Sequence, residues 1–133
     1  MALWDAWKQA SETLIDTIMA DVTAGSDLSG PDFAVATRLV ELGDGTMRQN
    51  ELAASIGWHR SRLSHQLTRM QERGLLTRTQ LTNGVTIIIT DVGASAVKLA
   101  RPLHAAAVRR HLIGHIPDGQ KNQILGVLRA LGS

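Results

Sequence analysis

The sequence predicts a mostly α-helical fold of the α+β class, on three observations. Apolar residues recur at helical spacing along most of the 133-residue chain. Glycines at Gly57 and Gly74 punctuate two short helical stretches in its middle. Directly after them come two β-rich runs, "LLTRTQL" and "VTIIIT", separated by Thr82, Asn83 and Gly84. The length fits one domain.

The elements follow in order. Leu3, Trp7, Leu14, Ile15, Ile18 and Val22 give a first helix, which "TAGSDLSG" is expected to break. Ser29 then caps a second helix, with Pro31 in its first turn and Asp32 three residues on, a capping-box arrangement. Phe33, Val35, Ala36, Leu39, Val40 and Leu42 form its expected buried face, and "GDG" at 43–45 ends it. A short third helix fits Gln49 to Ile56, with Leu52, Ala53 and Ile56 inward. A fourth runs from about His59 to Arg73, turning Leu63, Leu67 and Met70 inward. Asn83-Gly84 between the β-rich runs is a hairpin signal, because both central residues of a type I′ turn need positive φ. Thr90 caps a long helix to about His115, which Pro102 interrupts and is expected to kink. After "IPDG", Gln120 to Leu131 forms the last helix.

Composition narrows the function. With no Cys there are no disulfides, thiolate metal sites or cysteine redox switches. No apolar run is long enough for a membrane span, and "MALWDAWKQASE" lacks the basic start and apolar core of a secretory signal. A cytoplasmic protein is expected by elimination. Net charge is only +2, but residues 1–45 hold two basic against eight acidic residues, 46–97 six against three, and 98–133 six against one. Such asymmetry points the later segments toward a polyanion.

Two short helices joined at a tight turn and followed by a hairpin make a winged helix-turn-helix, whose second helix enters the DNA major groove. The fourth helix suits that role, because it carries Arg60, Arg62 and Arg69 and no acid before Glu72. Arginine forks pair with guanine edges and with phosphates. The expected DNA-binding residues are Arg48, then Arg60, Ser61, Arg62, Ser64, His65 and Arg69, then Arg78 and Asn83 on the wing. The lobe spans 30–90 within a single 1–133 unit, and 1–25 and 91–133 are expected to be dimerisation helices.

"RQNELAASIGWHRSRLSHQLTRMQERGLLTR" at 48–78 and "IIITDVGASAV" at 87–97 resemble the MarR family of transcription regulators. The shared features are the "ELA" helix, the charged pair Glu72-Arg73 before Gly74-Leu75, Arg78 after it, the hairpin wing, and Thr90 with Gly93 opening a long helix. The resemblance implies a homodimer with interlocked terminal helices, a pseudo-palindromic double-stranded DNA operator, and a repressor released by a small-molecule effector. Apolar stripes at Leu3, Trp4, Trp7 and "ILGVLRAL" support dimerisation independently. The family's wing tip usually carries an arginine, whereas this tip reads Leu81-Thr82-Asn83-Gly84-Val85. Specificity is therefore expected to rest on the recognition helix.

Trp7, Phe33, Arg101 and His104 are candidates for an effector pocket. His104, His111 and His115 share one helical face, which keeps a zinc-sensing regulator as an alternative, but neither an HExxH pattern nor an obvious carboxylate partner accompanies them in the sequence. No metal and no cofactor is expected. Another alternative is a winged helix that binds only protein, which would tolerate a neutral fourth helix. Ser61, Ser64, His59 and His65 lack an orienting third group and an oxyanion site, so no enzyme is expected.

Overall fold

Helix α1 spans Ala2–Ser26 in the computed structural model, which describes residues 1–133. It continues through Gly25, where the sequence suggested a break. The reason is close approach: a Cβ on Gly25 would lie 2.4 Å from a methyl of Leu103 on the long C-terminal helix. The stop is Asp27 instead, left-handed at φ 62°, with its N–H on the Thr23 carbonyl. Ile18 and Val22 are buried, whereas Leu3, Trp4 and Trp7 face solvent.

Helix α2, Gly30–Gly43, begins with the expected capping box. The Ser29 hydroxyl accepts from the Asp32 N–H, and the Asp32 carboxylate accepts from the Ser29 N–H. Val35, Ala36 and Leu39 enter the core, but Leu42 is 64% exposed, against the expectation. It shares the helical face of Val35 and Leu39 but lies in the last turn of α2, beside Gly43, past the residues that the core covers.

Strand β1, Thr46–Arg48, had no signal in the sequence. It pairs antiparallel with β3, Gly84–Ile89, which also pairs with β2, Leu76–Leu81, giving sheet order β1-β3-β2. Three residues are too few to show alternation; only the partner strand makes them β. The β2–β3 turn also differs from the type I′ expectation. Leu81 pairs with Gly84, so Thr82 and Asn83 are the central residues, and neither has positive φ. Gly84 alone takes it, at 137°.

Between β1 and β2 lie α3, Gln49–Ile56, and α4, Arg60–Glu72. Gly57 ends α3 at φ 76°, and His59 caps α4 by accepting the Ser61 N–H at Nδ1. Leu63, Leu67 and Met70 are fully buried with Leu52, Leu39 and Ile87, which fixes how α4 sits in the lobe.

Helix α5, Asp91–His111, continues unbroken through Pro102. An exposed proline there costs one ladder bond, and packing along α1 holds the rest. Thr90 caps it, and Gly93 meets the lobe: a Cβ there would lie 2.1 Å from the Leu75 carbonyl oxygen. Two short 3-10 turns lead to α6, Lys121–Gly132, which buries no residue. No helix is long and apolar enough to cross a membrane.

Candidate nucleic-acid interface

The outward face of α4 follows from its buried one. With Leu63, Gln66, Leu67 and Met70 inward, Ser61, His65 and Thr68 lie opposite at i, i+4 and i+7. Thr68 was absent from the sequence-based set, although the same spacing that selects Ser61 and His65 selects it. Arg62 and Arg69 sit together on one flank. Arg62 lies over the Trp58 ring, its guanidinium carbon 4.0 Å from the centroid.

The N-termini of α3 and α4 and the wing tip enclose an open concavity of about 510 Å3. It gathers Arg48, Arg60, Ser61, Ser64 and Asn83 from the expected set, and adds Gln49, Asn50 and His59. Arg48 donates from Nη1 to the Asn83 carbonyl at 3.4 Å, linking β1 to the wing. No carboxylate lines this space, and both helix N-termini present the positive ends of their dipoles nearby. Such a surface favours anions.

Arg69 and Arg78 are held from behind. The Gln66 amide oxygen accepts from Arg69 Nη2 at 2.7 Å. Arg78 Nε donates to Gln71 and its Nη2 donates to the Thr68 hydroxyl, both at 2.9 Å, so the arginine ties β2 to α4. Beneath α4 the Asp32 carboxylate is 2% exposed. Burial alone would raise its pKa, but hydrogen bonds and charge from Arg73, with the Ser29 backbone and hydroxyl, hold it below the ordinary 3.8.

A family model described as a domain of unknown function (DUF7343) matches residues 32–87. No curated protein matches the chain in sequence. Among solved structures, AbsC of Streptomyces coelicolor, a MarR family transcriptional regulator, is 26% identical with a TM-score of 0.86, over 98% of this chain and 90% of that one. The chain folds as a MarR-family regulator does. Sco3205 of the same organism, a MarR family transcriptional regulator solved in complex with DNA, is 23% identical with a TM-score of 0.86, over 98% and 84% of the two chains. BpsR of Bordetella bronchiseptica, whose DNA binding 6-hydroxynicotinic acid regulates, is 15% identical with a TM-score of 0.82, over the whole of both chains. The MarR structures it resembles are transcription regulators, not enzymes. In this chain the one Ser–His contact, His59 Nδ1 to Ser61 Oγ at 3.0 Å, belongs to an exposed helix cap.

The four effector candidates do not share a cavity. Phe33 lines a cleft of about 600 Å3 where α1 and α2 meet Trp58 and Arg62. His104 stacks on Phe33 with ring centroids 4.9 Å apart. Arg101 instead pairs with Glu41 at 2.9 Å, and Trp7 lines a separate apolar hollow between α1 and α6. The missed members of the cleft, Ile15, Met19, Arg38 and Trp58, come from three elements distant in sequence. Nor do the three histidines converge. His104 is occupied by Phe33, His111 Nε2 meets Asp21 at 2.8 Å, and His115 lies in a 3-10 turn beyond the end of α5. Within the single chain no group of three His, Cys, Asp or Glu is placed to hold a metal ion.

Proposed function

We propose that the chain is a homodimeric, sequence-specific DNA-binding regulator of transcription, acting as a repressor released by a small ligand. One observation carries the DNA reading: the carboxylate-free concavity between the helix N-termini and the wing continues into an outer face of α4 that is flanked by Arg62 and Arg69 and carries no acid before Glu72 in its last turn. Ser61, His65, Thr68 and the arginines of the flank face base edges. Arg48, Arg60, Ser64 and Asn83 contact phosphates, which position the protein without reading sequence. Arg78 braces the wing against α4. A relative of the same fold solved in complex with DNA supports DNA binding. A role on genomic DNA places the chain in the cytoplasm.

The terminal helices support the dimer. Leu3, Trp4 and Trp7 on α1, with Leu125, Val127, Leu128 and Leu131 on α6, are all at least 38% exposed in the single chain. So much clustered apolar surface is unfavourable in water and is covered by a second copy. Two-fold symmetry then requires a pseudo-palindromic operator with half-sites roughly 10 base pairs apart. The effector occupies the cleft bounded by α1, α2 and Trp58. Its apolar side of Ile15, Met19 and Phe33 and a rim on which Arg38 and Arg62 outnumber the one carboxylate, Asp16, suit a small aromatic acid.

Selection of bound duplexes from a random pool tests the reading directly. A two-fold repeated motif is expected. A single unrepeated half-site would overturn the dimeric mode, and absence of any enriched motif would overturn sequence-specific binding.

A further inference from the structure

Beneath the recognition helix, two polar side chains are buried with each of their polar atoms hydrogen-bonded: Asp32 at 2% exposure and Gln66 at 3%. Gln66 Nε2 donates to Asp32 Oδ1 at 2.7 Å, and Gln66 Oε1 accepts from Arg69 Nη2 at 2.7 Å. The other carboxylate oxygen, Oδ2, accepts from Arg73 Nη1 at 2.5 Å and from the Ser29 N–H at 2.9 Å. Chemistry allows only one orientation of the amide. An ionised carboxylate can only accept and a guanidinium can only donate, so the amide nitrogen must face Asp32 and its oxygen must face Arg69.

We infer that Gln66 is a positioning residue: anchored on Asp32, it sets the aim of the Arg69 guanidinium and thereby makes Arg69 a specificity-determining residue for DNA. Arg69 is an exposed arginine on a flexible stem. Left free, such a side chain loses rotamer entropy on binding and serves any phosphate within reach. A fixed guanidinium meets one place on the duplex, which is what discrimination between bases requires. Leucine at position 66 would pack as well in the core. The polar pair instead transmits a fixed geometry from the first turn of α2 to the DNA-facing flank of α4.

The inference rests on the DNA-binding reading, and a double-mutant cycle on the full-length protein separates the two. Affinities are measured for the selected operator and for one random duplex. Arg69→Ala is expected to lower operator affinity by roughly 5- to 150-fold and to relax preference at one base pair. Gln66→Met, which keeps the volume, should reproduce much of the lost discrimination. In an Arg69→Ala background it should cost no more than about twofold further, the scatter of independent sites. A second variant covers misfolding. Asp32→Asn combined with Gln66→Glu reverses the polarity of the buried bond: the new amide nitrogen donates to the new carboxylate, whose second oxygen still accepts from Arg69. This pair should recover discrimination that Gln66→Glu alone loses. Full additivity of Gln66→Met with Arg69→Ala, or discrimination left unrecovered by a folded double swap, would overturn the inference while leaving DNA binding intact. Absence of any operator preference in the unaltered protein would overturn both.

Discussion

Arg62 lies across Trp58, which sits on the short link between α3 and α4 and also walls the cleft beside α1 and α2. The stack draws Arg62 off the centre of the DNA-facing surface, where Ser61, His65 and Thr68 lie. Cation–π attraction at an exposed site is worth about 0.5–1 kcal/mol. Trp58→Leu should therefore weaken operator binding by about that amount, and Arg62→Ala by about 1–3 kcal/mol, with relaxed preference at one base pair. Fluorescence anisotropy on operator and random duplexes checks this. Equal losses on both would make Arg62 a phosphate contact.

Asp32 predicts a dependence on acid. Its folded-state pKa lies below the ordinary 3.8 because its paired, charged form outweighs the cost of burial. Its stabilising contribution is complete above the unfolded-state value and is lost as pH falls through the folded one. Arg73→Met leaves the buried carboxylate without its cation and should cost about 2 kcal/mol near pH 7, toward the low end for such pairs because Arg73 is 41% exposed. The deficit should shrink below about pH 4 as Asp32 protonates. Urea titrations at a series of pH values measure it; a deficit constant down to pH 3 would contradict the pairing.

The hairpin separates two neighbouring residues. Asn83 has negative φ, so Asn83→Ala should cost well under 1 kcal/mol in stability. Gly84, at φ 137°, should lose about 1 kcal/mol or more on change to Ala. Thermal melting distinguishes them. At the same tip, Thr82→Arg should steepen the salt dependence of operator affinity by about one logarithmic unit per chain, as one more phosphate is neutralised. An unchanged slope would mean that the wing stands clear of the duplex.

Gly93 is a matter of space. A methyl there would overlap the Leu75 carbonyl oxygen at 2.1 Å and Ile89 at 2.8 Å. Gly93→Ala should destabilise the chain by about 2–3 kcal/mol, since a backbone neighbour cannot turn aside. Gly126, with open space around it, should tolerate the same change and gain slightly from helix propensity. Denaturant midpoints compare the two.

Leu131→Glu places a charge on the apolar face of α6, where the native side chain is 70% exposed in the single chain. It should leave the lobe folded, shift sedimentation toward monomer, and reduce operator affinity more than affinity for an isolated half-site. A dimer that persists unchanged would remove α6 from the interface.

The sequence by itself determined what depends on neighbours along the chain. Ser29, Pro31 and Asp32 announce the start of α2 because a capping box closes within one turn. Leu63, Leu67 and Met70 define the buried side of α4, and with it Ser61 and His65 outward, because helical period alone relates them. Only the tertiary structure decided the rest. Gly25 signals a break locally but admits Leu103 from the far side of the molecule, so α1 runs on. Residues 46–48 are a strand only because β3 lies alongside. Arg62, Arg69 and Arg78 are alike in the sequence, yet one rests on Trp58, one is held by Gln66 and one braces the wing. Periodicity assigns a side chain to a face. Where a long, flexible cation points within that face is set by partners that other elements bring within hydrogen-bonding distance, and those partners have no fixed spacing along the chain.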